Sequence, residues 1–195
     1  MKILPLDDLK KINFKKDVFV FPTETAYGMG AAADQLKLLE RILLIKKRPA
    51  NKVFPVIVSS LTQAKQWFVF SKQEEKLAKK YWPGPLTLLL KPKKSLPIYL
   101  LGKDGRVGVR VSGRDVARKL ARLAGKPIVA TSANLSGQGN SYDPRRIWED
   151  FYKAKEQPDW LIDCGLLPEN QSSTVVYCRE DGELEILRQG GIRLK

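Results

Sequence analysis

Short apolar runs of four to six residues, bounded by proline, glycine and serine, alternate along this chain with stretches whose apolar residues recur at helical spacing. Strands bury every second residue and amphipathic helices every third or fourth, so the alternation restricts the chain to an α/β or α+β fold with a mixed sheet. Strands are expected at residues 17–22 (DVFVFP), 54–58 (FPVIV), 86–90 (LTLLL), 107–111 (VGVRV), 127–131 (PIVAT), 174–177 and 185–188. The last two are joined by a turn at Asp181-Gly182. Asp34 is placed to cap a helix reaching Lys46, whose stripe is Leu36, Leu39, Ile42, Leu43 and Ile45, with Pro49 as the stop. Ser60 opens a helix to Trp67, and Ser71 with Glu74 has capping-box spacing for one over 72–82. A helix over 115–124 ends at Gly125, and Asp143-Pro144 starts one through Tyr152. The segments 93–106, 134–142 and 165–172 read as loops, as does the Thr/Gly-rich stretch after Pro22.

The chain has 195 residues, 43% of them hydrophobic, enough for one domain (1–195) to bury a core without staples. There is no histidine. That removes Ser-His-Asp and Cys-His catalysis, HExxH zinc sites and any imidazole shuttle. The two cysteines, Cys164 and Cys178, cannot make a four-ligand zinc site without histidine and read as small core fillers. Lys and Arg number 35 against 21 Asp and Glu, a net charge of +14, so the expected partner is an anion: a nucleotide, a nucleic acid or an acidic membrane surface. No apolar run approaches the length of a membrane span, and residues 1–10 form no signal-peptide core. A cytoplasmic protein is expected.

Gly28-Met29-Gly30-Ala31-Ala32-Ala33 fits GxGxxA, but Thr23–Tyr27 separates it from the strand. The position where a dinucleotide fold needs an acid holds Lys46, Lys47 and Arg48. Gly28 and Gly30 are therefore read as allowing close backbone approach. No GxxxxGK[ST] is present. Lys46, Arg48 and Lys52, around Pro49, are placed to converge on one anion; the alternative is solvated cations at a helix C-terminus. Residues 131–137 (TSANLSG) form a hydroxyl-and-amide loop suited to phosphate or ribose oxygens, or a self-satisfied turn. Ser172-Ser173-Thr174 and Arg188 carry the same two readings. Arg110 lies inside an apolar strand, where an unpaired charge is costly, and is the best candidate for holding a substrate carboxylate. Trp67, Trp82, Trp148 and Trp160 are read as core rather than stacking platforms.

Taken together, these segments resemble a known family. Residues 21–30 (FPTETAYGMG) resemble its PTETxYGxG opening. KKRP at 46–49, WPGPLT at 82–87, VGVRV at 107–111 and SANLSG at 132–137 match further motifs. So do STVV at 173–176 and ILRQGG at 186–191, a variant of ILRPGAI. The matches run in order from Phe21 to about Ile192 and identify the chain as a member of the YrdC-like (TsaC) family of threonylcarbamoyl-AMP synthases, in its short form.

The resemblance implies a twisted mixed β-sheet wrapped by helices around a basic concave surface. It implies that L-threonine, bicarbonate and ATP, with Mg²⁺, give L-threonylcarbamoyladenylate and pyrophosphate. A tRNA threonylcarbamoyltransferase complex would then use the product on an adenosine beside the tRNA anticodon. It assigns Thr25, Arg110, Ala130 and Ser173 to threonine. It assigns Arg48, Lys52, Arg106, Ser132, Asn134, Asn140 and Arg188 to the nucleotide, and Lys46, Arg48, Ser132 and Asn134 to catalysis. No metal ligand comes from the protein. Two positions depart from the pattern: Ile57 stands where many relatives have a histidine, and Gln189-Gly190-Gly191 replaces Pro-Gly-Ala.

Two other functions fit the charge. One is a non-catalytic module binding transfer or double-stranded RNA through its basic face. The other is a related domain that transfers a carbamoyl group from carbamoyl phosphate. Neither requires threonine.

Overall fold

The computed structural model describes residues 1–102, 104–179 and 181–194. Lys103, within the loop expected over 93–106, lies outside the described residues. In chain order, β1 (Lys2–Ile3) leads through a 3-10 turn to β2 (Phe19–Pro22), β3 (Tyr27–Gly30), α1 (Leu36–Lys46) and β4 (Val56–Ile57). Then come α2 (Leu61–Trp67), α3 (Lys72–Tyr81), β5 (Leu86–Leu90), β6 (Val107–Arg110) and α4 (Asp115–Ala124). The chain continues with β7 (Ile128–Val129), β8 (Thr131–Ser132), α5 (Pro144–Phe151), β9 (Trp160–Leu161), β10 (Thr174–Cys178) and β11 (Leu184–Arg188).

The mixed α/β class is as expected, but the strands divide between two sheets. Five run in the order β1-β9-β2-β3-β8, and six in the order β11-β10-β5-β6-β4-β7. Both sheets contain parallel and antiparallel pairs. The sequence 127–131 reads as one strand, yet the chain changes sheets at Ala130. Before it, β7 pairs with β4; after it, β8 pairs with β3. The Ala130 amide is satisfied outside both ladders by the carbonyl of Pro55, at 3.0 Å.

Tyr27–Gly30 is a strand rather than the expected loop, paired antiparallel with β2 so that Phe21 faces Gly28 and Phe19 faces Gly30. A Cβ on Gly30 would stand 2.0 Å from the Val129 carbonyl oxygen. The glycine lets β3 and β7 press together, which is a packing role and not dinucleotide binding.

The caps of α2 and α3 follow the spacing: Ser60 accepts from the Gln63 amide at 3.1 Å, and Ser71 with Glu74 forms a complete capping box. Asp34 does not cap α1. Its carboxylate takes the Lys126 ammonium at 2.6 Å and the Gln35 amide at 3.0 Å, a stronger charged partner than a free backbone N–H. Leu38 is buried on α1 while Leu36 is exposed. Nor does Pro49 end the helix: Lys47 turns left-handed at φ 49° and its N–H returns to the last turn. That turn swings Lys46 inward and leaves Lys47 in solvent. Among the described residues, no helix is long and apolar enough to cross a membrane.

Candidate functional site

The sheet change at Ala130, the β2–β3 turn and the ends of β6 and β11 surround one cavity of about 230 Å³. Thr23 shapes the β2–β3 turn. Its hydroxyl donates to the Ala26 carbonyl at 2.6 Å and accepts from the amides of Thr25 and Ala26, both at 3.2 Å. Thr25 is thereby aimed at Arg110. At the end of β6, Arg110 stands in register with Ile57 of β4, its side chain only 10% exposed. Nη1 donates to Glu24 Oε1 at 2.9 Å and to Thr25 Oγ1 at 3.4 Å. Burial pushes the guanidinium pKa down, Glu24 offsets part of that, and the nearby charge of Arg188 adds to it.

Arg188 closes a second wall. Its Nε donates to the Ser173 carbonyl at 3.1 Å and its Nη2 to the Ser173 hydroxyl at 3.0 Å. Ser173 Oγ in turn meets Thr87 Oγ1 at 2.8 Å. After Arg188 the chain doubles back, and a Cβ on Gly190 would lie 2.0 Å from the Ser172 carbonyl oxygen. Thr174 Oγ1 fixes this turn, accepting from the amides of Gly190 at 3.0 Å and Ile192 at 3.2 Å. The Gln-Gly-Gly departure therefore keeps a glycine at the position where the backbones touch.

The third wall comes from α1 and β8. Arg48 is half-buried and lies over the Phe54 ring at 5.0 Å. Among the described residues its guanidinium donates only to the carbonyls of Lys52 at 3.4 Å and Val53 at 3.2 Å. Burial pushes its pKa down, as it does that of Arg188. Lys46 is buried, and its ammonium donates to the carbonyl oxygen of Ser132, to that of Asn134 at 2.5 Å and to Asn134 Oδ1 at 3.3 Å. Burial, with the charge of Arg48 added, lowers its pKa to about 7. Asn134 Nδ2 then donates to the carbonyls of Leu135 at 3.1 Å and Gln138 at 2.5 Å. Lys46 and Asn134 together are the internal frame of the loop after β8.

Thr25, Arg48, Arg110, Ala130, Ser132, Asn140, Ser173 and Arg188, each singled out in the sequence, line this one cavity. Lys46, Arg48 and Lys52 do not converge on one anion. Lys46 is behind the cavity, spent on carbonyls, and Lys52 is exposed and offers Arg48 its carbonyl. Asn134 faces a neighbouring cleft that shares Asn140 with the cavity. Arg106 is elsewhere. It immediately precedes β6, which Arg110 ends, pairs with Asp104 at 3.0 Å and Glu74 at 3.6 Å, and lies over the Tyr177 ring at 4.8 Å. Two site residues were missed. Glu24 was signalled by the requirement that a buried arginine find a carboxylate, and Thr87 by its place as the polar residue of an apolar strand.

Three guanidiniums face the cavity, and among the described residues no Asp or Glu lines it. Hydroxyls come from Thr25, Thr87, Ser132 and Ser173, and an apolar wall from Pro55, Val56 and Ile57. Planar, permanently charged forks of this kind suit carboxylate and phosphate together. The Sua5/YciO/YrdC family model, described as "Telomere recombination", matches residues 13–190. The chain belongs to this family. A family member from Pyrococcus abyssi (strain GE5 / Orsay), a threonylcarbamoyl-AMP synthase, is 37% identical over 179 residues, which are 90% of this chain and 51% of the relative. The crystal structure of P. abyssi Sua5 complexed with L-threonine superposes with a TM-score of 0.88 and 31% identity, covering 98% of this chain and 58% of that one. Escherichia coli YciO superposes at 0.82 with 27% identity, covering 95% and 89%. The chain thus spans about half the length of the Pyrococcus relative.

Proposed function

We propose that the chain is a nucleotidyltransferase making L-threonylcarbamoyladenylate and pyrophosphate from L-threonine, bicarbonate and ATP. The observation that carries this is the grouping of Arg48, Arg110 and Arg188 around one cavity, with Thr25, Ser132 and Ser173 hydroxyls beside them. One guanidinium answers a carboxylate and the others answer phosphates. The kinship with a threonylcarbamoyl-AMP synthase and the L-threonine in P. abyssi Sua5 support the choice of amino acid.

Arg110 holds the threonine carboxylate so that the amine faces the nucleotide. The amine nitrogen attacks the carbon of bicarbonate and water leaves, giving a carbamate. A carbamate oxygen attacks the α-phosphorus and pyrophosphate leaves with the bonding pair. With no histidine in the chain and no carboxylate lining the cavity among the described residues, catalysis rests on positioning and on charge stabilisation by Arg48 and Arg188. Mg²⁺ accompanying ATP would share with Arg48 and Arg188 the neutralisation of charge on the phosphates. The product passes to a tRNA threonylcarbamoyltransferase complex in the cytoplasm, and transfer or double-stranded RNA meets the basic surface.

The test is pyrophosphate release from a mixture of protein, Mg-ATP, bicarbonate and L-threonine. Release that depends on threonine supports the proposal. Release without threonine but dependent on carbamoyl phosphate would favour carbamoyl transfer. No release, with tight and salt-sensitive RNA binding, would favour the RNA module.

A further inference from the structure

Glu24 holds no role that the resemblance assigns, and it is not among the residues lining the cavity. It stands behind Arg110 and is held from three sides. Oε2 accepts the Ser112 hydroxyl, whose oxygen accepts from the Arg114 amide at 3.2 Å. Oε1 accepts from Arg110 Nη1 at 2.9 Å. Its main-chain oxygen accepts from Asn170 Nδ2 at 2.9 Å. Gly113 closes over its stem, where an added Cβ would lie 3.4 Å from Glu24 Cγ. The carboxylate is thus fixed by the turn between β6 and α4 independently of Arg110.

A guanidinium carries five N–H donors on a stem with several rotatable bonds. Here Nη1 is committed to Glu24 and Thr25, while Nε and Nη2 carry no hydrogen bond among the described residues. Glu24 also makes the site less positive, so by charge alone it weakens the pull of Arg110 on a second carboxylate. What it contributes is direction. We infer that Glu24 is a positioning residue, which with Ser112 sets the plane of Arg110 so that its free edge meets the amino-acid carboxylate. This rests on the proposed threonine-dependent reaction.

The test is the affinity for L-threonine by titration calorimetry, beside the KM for ATP. Loss of a hydrogen bond to a charged group, and of the support behind a binding residue, makes Glu24→Ala bind threonine about tenfold more weakly with an unchanged ATP KM. Glu24→Gln keeps an acceptor for Nη1 and stays within about threefold of the unmodified chain, while Ser112→Ala weakens binding by about threefold. Unchanged threonine affinity in Glu24→Ala overturns the inference. So does Glu24→Gln binding as weakly as Glu24→Ala, since charge rather than geometry would then be what counts. If Glu24→Ala does not fold, Ser112→Ala decides: weakened threonine binding supports the inference and unchanged binding overturns it. Failure of the unmodified chain itself to bind threonine overturns the proposed reaction, and this inference with it.

Discussion

The Lys46 ammonium donates to both oxygens of Asn134, the main-chain one at 2.5 Å and the side-chain one at 3.3 Å. A cation delivered by α1 is therefore a structural pin for the end of β8, where Ser132 lies, and for the loop that follows it. Because burial sets its pKa near 7, against 10.5 in the ordinary case, stability depends on pH. Below about pH 7 both folded and unfolded chains hold this proton, and the folded chain carries the full cost of a buried charge. Between about 7 and 10.5 the unfolded chain holds the proton and the folded chain releases it, so folding is favoured as pH rises. Urea unfolding of the parent and of Lys46→Met from pH 6.5 to 9.5 checks this. The parent gains stability relative to the variant with rising pH, at no more than about 1.4 kcal/mol per pH unit. A difference that is flat or falls with pH removes the assignment.

Arg48 faces the cavity with no carboxylate partner among the described residues and only two long hydrogen bonds to carbonyls. Its charge is available to phosphate. Arg48→Ala cuts turnover roughly 10²–10³-fold, as for loss of one transition-state donor. Circular dichroism and the melting midpoint stay close to the parent's. A near-parental single-turnover rate would contradict the role.

Much of the site was legible because its chemistry is expensive to hide. A guanidinium in an apolar strand, as at Arg110, demands an anion, and the β5 and α4 boundaries follow from Pro85 and Gly125. The direction of Lys46 was not legible, because KKRP reads as cations converging on one anion, or as solvated ones, until Lys47 is seen turning left-handed. Arg106 and Arg110 both belong to the β6 region, and only the register shows that they serve opposite ends of the sheet. The split at Ala130 was hidden for a similar reason: residues 127–131 satisfy the strand period throughout, and only the partners change. Strands as short as β1 and β9 carry too few residues to show any period.

Gly28 and Gly30 face the same ring of Phe21 but meet different neighbours. A Cβ at 28 would lie 3.4 Å from Phe21 Cζ and 3.5 Å from the Thr131 oxygen, ordinary contact distances. At 30 it would meet the Val129 oxygen at 2.0 Å and the Phe21 ring at 3.1 Å. Backbone on a paired strand cannot yield that much without separating β3 from β7. Gly30→Ala therefore destabilises by about 3 kcal/mol or more, or fails to fold. Gly28→Ala stays within about 1 kcal/mol of the parent. Chemical denaturation of the two variants side by side checks the contrast, and equal losses would refute it.

Arg188 offers a last separation, of charge from shape. Its two bonds to Ser173 use the fork of the guanidinium, at 3.1 and 3.0 Å, and Ser173 passes the constraint to Thr87 at 2.8 Å. Arg188→Lys keeps the positive charge but has no planar pair of donors with which to hold both Ser173 oxygens. Turnover in Arg188→Lys falls about tenfold, because Ser173 loses its orientation while the phosphates keep a cation. Arg188→Ala loses both and falls further, by about 10²-fold or more. Steady-state pyrophosphate release under saturating ATP distinguishes the two steps. A lysine variant as fast as the parent would mean that charge alone is needed at this wall and that the hold on Ser173 is incidental.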